Sequence, residues 1–139
     1  PYAEHALLRD LPASARGRWT AESLGFIKPD RPSPAEARTV AARRGVNLES
    51  HRSRLLTRES VDAARLIYVM SSAQKRAIRS QFDADPERVW VLGDLDPEPI
   101  LKRTIRDPVD QPEDVFETVY DRIDRCIRVI AAETGRSGT

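Results

Sequence analysis

An α/β sandwich built on a parallel sheet is the fold this chain predicts, because strand-like and helix-like segments alternate along it. Leu66-Ile67-Tyr68-Val69-Met70 and Val89-Trp90-Val91-Leu92 are continuous apolar runs, the mark of strands covered on both faces. The segments around them carry helix start signals and apolar stripes of helical period. With 139 residues the chain fits one domain with a core of its own.

Pro1-Tyr2-Ala3-Glu4-His5-Ala6-Leu7-Leu8 reads as the first turns of a helix. Proline is favoured at the first helical position and an acidic residue in the first turn. Ala3, Ala6, Leu7 and Leu11 form its stripe, and His5 is expected on the exposed side. Trp19 to Ser23 alternates and predicts a half-buried strand. Gly25 to Pro32 is a loop punctuated by Pro29 and Pro32. Ser33-Pro34-Ala35-Glu36 predicts a capped helix start with Ser33 as the cap and Glu36 reaching back. That helix should stop at Gly45. Thr57 caps a short helix ending near Ala64, and Ser71 or Ser72 caps another to about Gln81. Gly93 closes the second strand, and Leu95 to Pro112 is a proline-rich loop. A long helix from Pro112 to about Glu133 follows, striped by Val115, Phe116, Val119, Ile123, Cys126, Ile127 and Ile130. Gly135 to Thr139 is expected to be a loose tail.

Charge excludes some function classes. The 23 basic residues meet 22 acidic ones, for a net charge of +1, so neither bulk nucleic-acid binding nor attraction to a membrane surface is expected. One cysteine, Cys126, allows no internal disulfide, and a reducing cytoplasm is the expected compartment. No apolar run approaches a membrane span, and no segment reads as a signal peptide. Neither G-x4-G-K-[ST] nor G-x-G-x-x-G occurs. No cofactor and no metal ligand set is expected.

Three stretches taken together resemble the low-molecular-weight phosphotyrosine protein phosphatase family. Gly45-Val46-Asn47-Leu48-Glu49-Ser50-His51-Arg52-Ser53-Arg54-Leu55-Leu56-Thr57 is similar to the family's G-[IV]-x-L-x-x-H-x-[AS]-R-x-[LI]-T. Ala64 to Met70 leads into a capped helix, like the family's strand ending in V-M-D. Ile105-Arg106-Asp107-Pro108, followed by Pro112 to Tyr120, resembles its D-P loop and last helix. Ser23-Leu24-Gly25-Phe26 sits where the family has S-A-G-x.

The resemblance implies a three-layer sandwich with a four-stranded parallel sheet, and hydrolysis of phosphotyrosine or aryl phosphate monoesters through a cysteinyl-phosphate. The implied partner is a phosphotyrosine protein or a small aryl phosphate. Asp107 would be the general acid that protonates the departing phenolate. Pro108 would hold it in one direction. Phe26 and Val109 would line the substrate pocket, Val109 standing where the family often has an aromatic ring. Ser23 and His51 would support the phosphate-binding loop, and Arg54 would be an ion-pair partner. Ser71 replaces the aspartate that usually follows V-M.

The family's nucleophile lies in C-x5-R-[ST], directly before S-P-x-A-E and the first helix. This sequence begins at Pro1-Tyr2-Ala3-Glu4 and has no C-x5-R. Cys126 lies on the stripe of the last helix and reads as core. The expectation is therefore an N-terminally incomplete domain over 1–139. Its nucleophile loop, arginine and central first strand would lie upstream, the strand flanked by those at Trp19 and Leu66, and the chain as written would be inactive. The alternative is a non-catalytic pseudophosphatase or binding module of the same fold. An arsenate reductase would need redox cysteines between Met70 and Gln81, where there are none.

Overall fold

The structure, a computed structural model, describes residues 1–26 and 30–137, with side chains to Thr134. Among the described residues five helices surround two strands: α1 (Tyr2–Asp10), α2 (Ala35–Arg43), α3 (Arg58–Ala63), β1 (Ile67–Val69), α4 (Ser72–Phe82), β2 (Val89–Val91) and α5 (Glu113–Ser137). Short 3-10 turns at Pro86–Arg88 and Leu92–Leu95 bracket β2. Part of the predicted loop, including Pro29, lies outside the described residues, as do Gly138 and Thr139.

Local chemistry sets most helix ends. The Thr57 hydroxyl accepts from the Ser60 amide at 3.1 Å and the Ser71 hydroxyl from the Gln74 amide at 3.2 Å, each such cap contributing about 1 kcal/mol. Gly45, at φ +76°, takes the left-handed turn that ends α2. Ser33 does not cap α2. Its Oγ is buried without a hydrogen-bond partner, and Pro34 occupies the cap position. The helix starts one residue later than the capping box predicts, so Ser33 stands one position before the cap.

β1 and β2 run parallel in the register Ile67 to Val89, Tyr68 to Trp90 and Val69 to Val91. Ile67, Val69, Val89 and Val91 point to one face, where they meet Val61 of α3 and Ile78 of α4. On the other face Tyr68 packs against the main core, but Trp90 remains 48% exposed. The expected double covering therefore fails at Trp90. Trp19 to Ser23 forms no strand. Only single-residue bridges, Arg16 with Trp19 and Gly25 with Leu55, occur there. Alternation makes an extended segment, but a strand needs a neighbour running beside it. Of the sheet expected, the β1–β2 pair is present among the described residues.

The main core lies between α1, α2 and α5. Tyr2 stacks on Tyr120 with ring centroids 3.8 Å apart, and Phe116 meets Tyr120 edge-on at 5.9 Å. Val40, Leu48, Leu92, Ile123 and Cys126 fill the space between them. The predicted loose tail is instead helical as far as Ser137. Ala131 and Thr134 are buried, so the packed face of α5 continues past Ile130 and carries the helix with it. Among the described residues no helix is long and apolar enough to cross a membrane.

Two ion-pair networks tie the far parts of the chain to α5. Asp124 receives the Tyr2 hydroxyl at 2.6 Å, Arg9 at 3.0 Å and Arg44 at 2.9 Å. Asp96, whose side chain is 0% exposed, receives Arg125 at 2.9 Å on each oxygen and Arg122 at 3.2 Å. Gly93 sits where the chain folds back on itself. A Cβ there would lie 1.8 Å from the Arg103 carbonyl oxygen, so only glycine fits.

Candidate active site

The two strands run in the same direction, and ligands of such sheets lie beyond the carboxyl ends. Beyond the end of β1 the Ile105 amide donates to the Met70 carbonyl at 2.9 Å. Arg122 of α5 donates to the carbonyls of Thr104 at 2.8 Å and Lys102 at 2.9 Å. These bonds fix the segment that carries Asp107-Pro108. The Val109 amide donates to Asp107 Oδ1 at 3.0 Å, a tight turn of the kind that Asp-Pro favours. Asp107 is exposed, and among the described residues its other oxygen carries no hydrogen bond.

Asp107 lies within electrostatic reach of Pro1 and Tyr120. Burial first, then the neighbouring Tyr2 phenol, pushes the Tyr120 phenol up. The Asp107 carboxylate adds to the push. His51 is within reach of Pro1 as well. Asp107 and His51 thus both lie near the N-terminal end of α1.

Around His51 lies a compact polar cluster whose hub is Glu4. Glu4 Oε1 accepts from the Ser23 amide at 2.6 Å and the Ser23 hydroxyl at 3.2 Å. Its Oε2 lies 3.0 Å from His5 Nε2, and His5 Nε2 lies 3.3 Å from His51 Nδ1. Arg54 approaches Glu4 at 3.9 Å and Glu22 at 3.6 Å. These glutamates serve as its partners where the family's aspartate is replaced by Ser71. Ser71 caps α4 instead. Burial, chiefly, holds the His51 imidazole below its ordinary value, and Glu4 opposes the shift. A neutral ring at this position accepts or donates a hydrogen bond without adding charge.

The structure thus brings Ser23, His51 and Arg54 together, through two residues that sequence reasoning undervalued. His5 is half-buried against His51, not an exposed helix residue as expected. Glu4, read only as a complement to the helix dipole, organises the cluster. A signal was present, since Ala3-Glu4 aligns with the A-E of the family's S-P-x-A-E. Phe26 and Val109 lie on separate exposed loops, 37% and 45% exposed.

Cys126 is fully buried, and burial pushes its thiol up to about 11. A thiol so placed is a poor nucleophile. The folded chain is expected to leave a disulfide reagent such as Ellman's reagent unreacted, with one thiol per chain appearing on unfolding. Rapid native-state labelling would contradict the burial.

Comparison with known proteins bears on this arrangement. The family model described as "Low molecular weight phosphotyrosine protein phosphatase" matches residues 1–138. A probable low molecular weight protein-tyrosine-phosphatase, EpsP, from Ralstonia nicotianae is 33% identical over 94 residues, 68% of this chain and 61% of the relative. The low molecular weight protein-tyrosine-phosphatase Etp of Escherichia coli K12 is 32% identical over 115 residues, 81% of this chain and 72% of the relative. The matched region thus spans about three fifths of EpsP. The crystal structure of the low molecular weight protein tyrosine phosphatase from T. tengcongensis superposes with a TM-score of 0.83 at 24% identity. It covers 96% of this chain and 89% of that one, a likeness of fold.

Proposed function

The chain belongs to the low molecular weight phosphotyrosine protein phosphatase family, and on that footing we propose that it forms the acid-bearing and loop-supporting part of a tyrosine phosphatase. The nearness of both Asp107 and His51 to the N-terminal end of α1 supports this reading. A helix N-terminus offers amide donors and a positive dipole end to a phosphate. The thiolate and the phosphate-binding arginine belong, in this proposal, to a C-x5-R-[ST] loop that is no part of the 139 residues.

The thiolate sulfur attacks phosphorus, the P–O bond to the phenol breaks, and Asp107 gives its proton to the departing phenolate oxygen. Water then attacks the cysteinyl-phosphate. Asp107, now a carboxylate, takes a proton from that water as the P–S bond breaks. Ser23 and His51 act through the loop whose shape they hold. Phe26 and Val109 stand as the walls beside the phenyl ring. Valine offers that ring less contact than an aromatic side chain would.

The test compares two polypeptides on p-nitrophenyl phosphate. The 139-residue chain should not turn over. The same chain preceded by a strand and a C-x5-R-S loop should turn over, with a burst of phenolate when the intermediate accumulates. A folded but inert extended protein would defeat the reading and favour a non-catalytic binding module. Turnover by the 139-residue chain alone would show that the nucleophile lies elsewhere.

A further inference from the structure

The Glu4–His5–His51 cluster has a geometry that hydrogen bonding accounts for poorly. His5 Nε2 faces the Glu4 carboxylate at 3.0 Å and His51 Nδ1 at 3.3 Å. A ring nitrogen carries one proton or one lone pair, so His5 Nε2 cannot both donate to Glu4 and accept from His51. The ligand-capable atoms of the three residues all lie within 4.8 Å of one another. In a tetrahedral site with zinc–nitrogen bonds of about 2.0–2.1 Å, neighbouring ligand atoms stand about 3.4 Å apart. The His5 to His51 separation is that edge, and the Glu4 to His5 separation is close to it.

The surroundings fit the same reading. Ser23 holds Glu4 Oε1 with its amide and hydroxyl, which leaves Oε2 turned to the histidines. A carboxylate held from behind in this way is the usual support for a metal ligand. Arg54, 3.9 Å from Glu4, bears on Oε1, the oxygen away from the histidines. The His5 side chain is 31% exposed, so a cation has a path in from solvent.

We propose that Glu4 Oε2, His5 Nε2 and His51 Nδ1 form a site for one divalent transition metal of the zinc class, with a fourth position left to water. Two imidazoles and one carboxylate suit zinc and cobalt better than magnesium or calcium, which prefer an all-oxygen shell. This goes beyond the phosphatase reading. Because Ser23 and His51 are also the proposed supports of the phosphate-binding loop, metal here would compete with that loop for them.

The experiment uses the tag-free 139-residue chain, Zn(II) in calorimetry and Co(II) in visible absorption. One metal per chain is expected, with the intense cobalt absorption of a tetrahedral site. His5→Gln and His51→Gln should each weaken binding by more than the about tenfold loss expected for the supporting change Ser23→Ala, with helix content unchanged by circular dichroism. His5 lies on α1 with its side chain 31% exposed, so its variant decides the matter if His51→Gln does not fold. No binding by the parent chain, or binding unchanged in His5→Gln, would overturn the proposal. A sulfur-to-cobalt charge-transfer band would overturn it too, since the ligand would then be Cys126. Binding is read without turnover, so the phosphatase reading stands or falls separately.

Discussion

Replacing Asp107 with asparagine, in a protein that carries the nucleophile loop, should slow hydrolysis of aryl phosphates with poor leaving groups by about 10²–10⁴-fold. The effect should shrink as the leaving group improves. A nitrophenolate departs without help, while a phenolate of ordinary basicity needs the proton. Asparagine keeps the shape of the turn, because its side-chain oxygen can accept from the Val109 amide as Asp107 Oδ1 does at 3.0 Å. A loss that depends on leaving-group pKa therefore reports the proton, and an equal loss across the series would refute the acid role. Initial rates on a set of substituted phenyl phosphates are enough to decide.

Asp96→Ala is expected to be the most damaging single change to stability. Its carboxylate is 0% exposed and takes Arg125 on both oxygens and Arg122 on one. Removing it leaves two guanidinium groups beside a buried site without their counter-charge, at a cost of about 3–5 kcal/mol. A urea titration would register this as a lowered midpoint with an unchanged slope. Acid should act the same way. The Arg125 hydrogen bonds, opposed by burial, hold the Asp96 carboxyl below its ordinary value of 3.8. Its contribution is complete above the unfolded-state value and is lost as pH falls through the lower folded value. The parent should therefore lose stability below about pH 4, and the Asp96→Ala protein should lose less over the same range. Matching acid limbs would mean that other carboxylates govern the transition. Arg122 also grips the carbonyls before Asp107, so freeing it should loosen the acid's loop.

What the sequence made legible was local. Thr57, Ser71 and Gly45 act on backbone groups within a few residues, and each does what its type and position suggest. The α5 stripe was readable because one helix face repeats along the sequence, and the Asp107-Pro108 turn because proline follows the acid. The features that escaped all depend on partners far along the chain. Trp19 to Ser23 alternates as a strand would, yet among the described residues it pairs only through an isolated bridge at Trp19. Trp90 sits in an apolar run but is left 48% exposed. Glu4 looks like any acid in a first helical turn until the fold brings Ser23, His51 and Arg54 to it. Asp96 gives no sign in a proline-rich loop that two arginines of α5 will close on it. Ser33 had every local mark of a cap, yet Pro34 takes that position.

The pairing of α1 with α5 has a consequence for how the molecule is made. Tyr2 and Asp124 are bonded across 122 positions of sequence, and α5 supplies Phe116, Val119, Tyr120, Ile123, Cys126, Ile127 and Ile130 to the main core. Contacts of such separation are entropically slow to form and add nothing until both ends are present. On the ribosome, α1 emerges before α5 and must wait with Tyr2 and Ala6 uncovered until α5 has been synthesised. Completion of the core is thus a late event, and the apolar side of α1 is the surface a nascent chain leaves longest in need of a chaperone.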